Sequence, residues 1–268
     1  MKRKKTMWII VAVLIFLLMQ NLFIGYRFSW GPFKSLGDIR MGKLPGNAPE
    51  YAMDSVNALP ENPLAGKKVL FLGSSVTYGA SSLREGIPEY FAARFGCEIT
   101  KEAVSGTTLV DNGAGSYVQR LLNKVDPSAD YALVVVQLST NDATKKLPLG
   151  DISESTDKSA FDTATVTGAT EYIIAYAKET WGCPVVFYTN ARYDSEDYAA
   201  MVQRLTELQE KWDIGVLDLW TSDSFNNISD ADRTLYMADR IHPTKAGYRD
   251  WWCPVLEKQL LDYLNSIG

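Results

Sequence analysis

From Lys68 to the C-terminus, short β-branched runs alternate with longer stretches of helical periodicity, and few architectures accept that alternation. The runs Lys68–Gly73 (KVLFLG), Glu98–Val104, Tyr131–Leu138 (YALVVVQL), Pro184–Asn190 and Ile214–Leu219 read as strands. Ile87–Phe95, Ser116–Lys124, Asp162–Thr180, Asp197–Trp212 and Thr244–Ile267 read as helices. Unbroken apolar runs such as LVVV suit strands covered on both faces, and strand–helix alternation builds parallel sheets. The expected fold is a three-layer α/β/α sandwich around a five-stranded parallel sheet. Ligands collect at the carboxyl ends of such strands, so the residues just after each strand carry the functional reading.

Gly73-Ser74-Ser75-Val76-Thr77-Tyr78-Gly79 follows the first predicted strand, Val104-Ser105-Gly106-Thr107-Thr108 the second, and Ser139-Thr140-Asn141-Asp142 the third. Asp239-Arg240-Ile241-His242-Pro243 stands ahead of the last helix. Taken singly, each has a structural explanation as an N-cap, a turn or a helix entry. Taken together they specify chemistry. His242 is the only histidine, and imidazole is the side chain whose ordinary pKa suits a general base near neutrality. Asp239, three residues earlier, can reach the ring's other nitrogen and fix its tautomer. A serine on the turn out of a strand, at a helix N-terminus, has backbone N–H groups beside it for an oxyanion.

In order and spacing these four blocks resemble the SGNH (GDSL-type) hydrolases, and the likeness spans roughly residues 66–268. The resemblance implies a flavodoxin-like sheet and a serine esterase with no cofactor and no metal. It implies Ser75 as nucleophile, His242 as base and then acid, and Asp239 as the orienting carboxylate. Ser75 N–H, Gly106 N–H and the Asn141 amide would form the oxyanion hole, with Asp142 steadying the loop that carries Asn141. Two positions depart from the family pattern. The Asp of Gly-Asp-Ser-Leu is Ser74, which stays open as an alternative nucleophile, although the register to Thr77 and Gly79 favours Ser75. The Gly of Gly-x-Asn-Asp is Ser139. An acyltransferase using the same triad on a sugar hydroxyl is the nearest alternative; a non-catalytic envelope-binding domain is the other.

The N-terminus sets the compartment. Met7–Ile24 is an 18-residue, mainly apolar run, roughly 27 Å as a helix against a hydrocarbon layer of about 30 Å. Lys2, Arg3, Lys4 and Lys5 precede it, so residues 1–6 are expected in the cytoplasm and everything after Ile24 outside, with Tyr26, Phe28 and Trp30 as an aromatic belt. A cleaved signal peptide has the same order of parts, but NLFIGYRF offers only Gly25 as a small residue, and an uncleaved anchor is the reading adopted. Residues 25–65 hold five of the 11 prolines and read as an extracytoplasmic linker, either free or lying partly on the domain surface; residues 66–268 read as the catalytic domain. Beyond Ile24 the chain has 23 basic against 32 acidic residues, which argues against nucleic-acid binding. Three cysteines form no disulfide framework, and a single histidine without paired cysteines argues against zinc. The expected partners are a small-molecule or carbohydrate ester, such as acetylated cell-envelope sugar, and the membrane. The long polar segment Lys145–Ala160 reads either as a lid or as a plain surface excursion.

Overall fold

A computed structural model describes residues 2–28 and 31–268. Trp30 of the expected aromatic belt lies outside the described residues. The five strands are β1 (Lys68–Gly73), β2 (Glu98–Ala103), β3 (Tyr131–Gln137), β4 (Val185–Tyr188) and β5 (Gly215–Leu217). They form one sheet in the order β2-β1-β3-β4-β5, every pairing parallel. The expected three-layer α/β/α architecture is present.

Period-two alternation sorts each central strand between the two faces. On β1, Leu70 and Leu72 enter one core while Val69 and Phe71 enter the other; β3 divides Val134 and Val136 from Leu133 and Val135 in the same way. The first face is covered by α5 (Tyr117–Lys124), α7 (Val166–Trp181) and α8 (Glu196–Trp212). Each begins at a Ser or Thr whose side chain accepts a backbone N–H three residues on: Ser116, Thr165 and Ser195, the usual way of satisfying free helical donors. The second face is covered by α4 (Ile87–Phe95) and by α11 (Cys253–Ile267), which is entered through a π-helical turn at Gly247–Trp252. The sequence reads one continuous helix there. The π turn turns Tyr248 and Trp252 into the core, both essentially inaccessible.

One expectation about the rest of the chain needs correction. Residues 25–65 read as a linker, yet 31–65 are packed onto the body. They contain α2 (Ser35–Gly42) and three short 3₁₀ turns, and Met41, Met53 and Leu64 are buried. Asn47 donates to the carbonyls of Met41 (2.9 Å) and Ser81 (2.8 Å) and accepts from Lys245 N–H (2.9 Å). The folded body therefore begins well before Gly66. Segment 145–160, read either as a lid or as a surface excursion, is packed against the body. Leu147, Leu149 and Ile152 pack on the first core, and Lys211 holds the Ser155 carbonyl from α8 at 2.7 Å.

The N-terminal helix α1 (Lys2–Phe28) contains a 23-residue stretch, Lys4–Tyr26, long and apolar enough to cross a membrane, with mean hydropathy 2.5.

Candidate active site

The turn out of β1 leads directly into a one-turn helix, α3 (Ser75–Tyr78), and Ser75 is its first residue. A residue in that position has no intrahelical partner for its N–H. From the other end of the chain, α10 (Asp230–Tyr236) and the loop after it bring His242 over the sheet rim. That loop is pinned on several sides. Met237 and Pro243 form an antiparallel bridge, Ala238 N–H donates to the His242 carbonyl at 2.9 Å, and Asn190, just past β4, donates to the Ile241 carbonyl at 3.2 Å.

Ser75 Oγ and His242 Nε2 are 2.8 Å apart, and His242 Nδ1 lies 2.9 Å from Asp239 Oδ2. An ionised carboxylate only accepts, so Nδ1 carries the proton and Nε2 is left to accept from the Ser75 hydroxyl. Asp239 Oδ1 also accepts the N–H groups of Ile241 (2.8 Å) and His242 (2.9 Å). Burial alone would raise this carboxyl; the hydrogen bond and charge of His242, with the two backbone N–H groups, outweigh it and hold Asp239 well below the ordinary carboxylate range. The three residues expected from the sequence are thus in one hydrogen-bonded line.

The oxyanion candidates come from the ends of β2 and β3. Gly106 sits at φ +81° on the loop after β2, a conformation that favours glycine. Asn141 is the second residue of α6 (Thr140–Thr144), and its Nδ2 donates to the Thr107 carbonyl at 2.9 Å. An amide nitrogen has two hydrogens, so one remains for a ligand. Ser75, Gly106 and Asn141 all line one cleft of about 360 Å³, with Asp239, His242 and Ser105. Asp142 is fully buried and accepts Leu109 N–H (2.9 Å) and Val110 N–H (3.0 Å). It clamps α6 to the loop after β2, and burial raises its carboxyl above the usual value.

The two departures from the family pattern are both accommodated. Ser74 is inaccessible, and its N–H and hydroxyl point down to Gln137 Oε1 at 2.9 and 3.3 Å; it faces away from His242 and is no rival nucleophile. Ser139 has φ −74°, where no glycine is needed, and its hydroxyl caps α6 by accepting Asn141 N–H at 3.2 Å.

Two residues that the motifs do not flag hold the oxyanion loop. Arg120, on α5, has a side chain only 4% exposed. It donates to the carbonyls of Gly73 (2.7 Å), Glu102 (2.8 Å) and Gly115 (3.0 Å), to Thr107 Oγ1 (3.2 Å), and pairs with Glu102 Oε1 (3.0 Å). Lys145 Nζ donates to the Gly106 carbonyl at 3.0 Å. The one available signal was an arginine on the apolar side of an amphipathic helix. Tyr193 and Trp220 lie in a separate hollow of about 900 Å³ beyond β4, which lacks the chain's only histidine. Among the described residues, no group of three or more His, Cys, Asp or Glu is placed to hold a metal ion.

The sequence profile of the GDSL-like lipase/acylhydrolase family matches residues 71–249. Solved structures share the fold. A protein from Lactobacillus plantarum is 20% identical, with 75% of this chain and 98% of the other covered and a TM-score of 0.58. A Bacteroides ovatus protein named for its likeness to GDSL lipases is 16% identical over 75% of this chain and 99% of its own, with a TM-score of 0.53. A family two carbohydrate esterase from Clostridium thermocellum, in complex with cellohexaose, is 17% identical over 78% of this chain and 67% of its own, also at 0.53. No curated protein matches.

Proposed function

The chain belongs to the GDSL-like lipase/acylhydrolase family, and from that premise we propose that it is a membrane-anchored, extracytoplasmic serine esterase that removes small acyl groups from carbohydrate esters. The observation that carries this reading is the 2.8 Å approach of Ser75 Oγ to His242 Nε2, with Asp239 behind the ring.

In the proposed reaction the Ser75 oxygen attacks the ester carbonyl as its proton passes to His242 Nε2. The negative oxygen of the tetrahedral intermediate is met by Ser75 N–H, Gly106 N–H and the free hydrogen of the Asn141 amide, donors aimed at charge that exists only then. Collapse breaks the ester C–O bond, and the alcohol leaves with the proton from His242. Water then attacks acyl-Ser75, giving its proton to His242, and the carboxylic acid departs as Ser75 recovers its hydrogen. The cleft, at about 360 Å³, lies at the small end of ligand pockets. Its lining mixes Ser81, Ser105, Asn141 and Asp239 with Met41, Ala80 and Ala238, and its size favours a small acyl group over a long chain. The carbohydrate choice draws support from the Clostridium thermocellum esterase. The basic N-terminus ahead of an apolar helix supports export.

The test is a panel of acyl esters, acetyl to octanoyl with acetylated sugars, run on the full chain in detergent beside Ser75→Ala, with fluorophosphonate labelling of both. Labelling at Ser75 and acetate release that vanish together in Ser75→Ala are expected. A parent protein that neither labels nor turns over any ester refutes the esterase. Product analysis with a sugar acceptor present separates hydrolysis from acyl transfer.

A further inference from the structure

The cleft has a wall that the sheet and its helices do not supply. Arg40 and Met41, on α2, line it together with Ser75, Gly106 and His242. α2 is fastened to the body: Arg84 holds the Asp38 carboxylate with both terminal nitrogens at 3.1 Å, and Asn47 ties the following turn to Ser81, another cleft residue. The same helix is docked on α1. Arg40 Nε donates to the Tyr26 carbonyl at 3.1 Å, and its guanidinium lies 5.5 Å from the Tyr26 ring centre. Gly25 is pressed so closely on Phe33 that a Cβ there would fall 2.4 Å from the Phe33 carbonyl oxygen. Tyr26 is also the last residue of the stretch able to span a membrane. One side chain thus touches both the end of the span and the wall of the cleft.

Charge and exposure point the same way. Residues 27–43 carry Arg27, Lys34, Arg40 and Lys43 against the single acid Asp38, in a chain that is otherwise acidic. Ile39, on α2, leaves 58% of its surface uncovered, and Phe23 and Tyr26 at the end of α1 are similarly open. Basic side chains beside uncovered apolar ones, at the end of a spanning helix, can meet lipid phosphates and the acyl boundary together.

We infer that α1 and α2 hold the cleft against the bilayer surface, and that the esters it takes are borne on headgroups of membrane-held amphiphiles rather than dissolved in the surrounding solution. This rests on the esterase reading above and on α1 spanning the membrane. A body on a free tether would sample all orientations. A body docked on the end of its own span keeps its cleft at one depth, where enzyme and ester share a surface and a high effective concentration.

The full chain in phosphatidylcholine vesicles doped with a headgroup-nitroxide lipid tests this. Cys97, Cys183 and Cys253 are buried, so a fluorophore on Ser105→Cys at the cleft rim, or on Ser128→Cys at the opposite end of the sheet, is selective. Strong quenching at 105 and none at 128 is expected; equal quenching at both sites, or none at either, overturns the inference. That readout needs no turnover, so it stands apart from the esterase proposal. A second arm uses Gly25→Leu, which forces α1 off Phe33. Hydrolysis of a lipid-tethered aryl acetate should fall about tenfold or more, with hydrolysis of dissolved 4-nitrophenyl acetate unchanged. Equal losses on both esters, or no loss on either, count against it.

Discussion

Replacing Asn141 by Ala separates a catalytic amide from a structural one. Asn141 Nδ2 already donates to the Thr107 carbonyl at 2.9 Å, and the amide also lines the cleft beside Ser75 and Gly106. The substitution removes both interactions, and the two losses differ in size. A neutral hydrogen bond to a partly exposed loop carbonyl contributes about 1 kcal/mol to stability, a fall of about 2–4 °C in melting temperature for a body of this size. A donor to the oxyanion contributes about 3–4 kcal/mol to the barrier, and at 1.36 kcal/mol per factor of ten this is about 10²–10³ in kcat. The oxyanion exists only near the transition state, so KM should stay nearly constant. Asn141→Asp keeps the shape, loses the donors and places a carboxylate where negative charge develops; its loss should be at least as great. The assay is kcat and KM on an aryl acetate, with the rate of fluorophosphonate inactivation as a check that needs no turnover. A kcat loss below tenfold in Asn141→Ala, under about 1.4 kcal/mol, would refute the oxyanion role, whatever the melting temperature did.

Arg120→Met strips donors from the carbonyls of Gly73, Glu102 and Gly115 and should cost about 3 kcal/mol. The expected fall in melting temperature is about 6–12 °C, measured by scanning calorimetry. For Asp239, the native carboxyl is depressed, so its stabilising contribution is complete above the unfolded value of about 3.9 and is lost only as pH falls through the lower native value. Parent and Asp239→Asn should therefore differ in denaturant midpoint throughout the range from neutral pH down to about pH 5, and the gap should close below about pH 4; a gap that closes near neutrality contradicts the pairing. Burial pushes the Cys97 and Cys183 thiols up to about 11 and holds Cys253 well above its ordinary value. A thiol reagent at pH 8 should modify none of the three in the native protein and all three in guanidinium chloride.

How far the fold could be read in advance depended on whether its causes were periodic. β1 and α4 fall at the boundaries read from the sequence, because each is a run whose apolar spacing matches its own core face. β4 and β5 are shorter than expected: Asn190 leaves the ladder to hold the Ile241 carbonyl, and Asp218 turns to cap Trp220 N–H at 2.8 Å. The π turn left no trace, since its residues satisfy a helical period until Tyr248 reaches the Val76 carbonyl at 2.7 Å. How residues 31–65 are fastened was illegible for a different reason. They are held by single side chains, notably Asn47 and Asp38, whose partners lie far away along the chain. The His242–Asp239 pair could be read because the chain has one histidine, with an acid three residues before it; Ser75 rested on the family resemblance, with Ser74 still open beside it. Arg120 could not be read, because its role consists of contacts with loops that are remote in sequence.

The two departures from the family pattern share a physical explanation. At both positions a side chain holds the backbone in place: Gln137 does so beneath Ser74, and at 139 the serine's own hydroxyl does so. Gln137, the last residue of β3, lies next to β1 where the strand order reverses, and its Oε1 accepts Ser74 N–H, Thr77 N–H at 3.2 Å and the Thr77 hydroxyl at 2.9 Å. The turn that presents Ser75 is thereby held from beneath, by an amide in the sheet. A carboxylate at position 74 would set one acceptor against another at that point, so serine is the compatible residue. At Ser139 a negative φ and a capped Asn141 N–H give the backbone the direction that glycine otherwise permits. What the chemistry requires at these positions is a nucleophile and an amide held at fixed angles. A side chain from an adjacent strand at one position, and a capping hydroxyl at the other, supply that restraint.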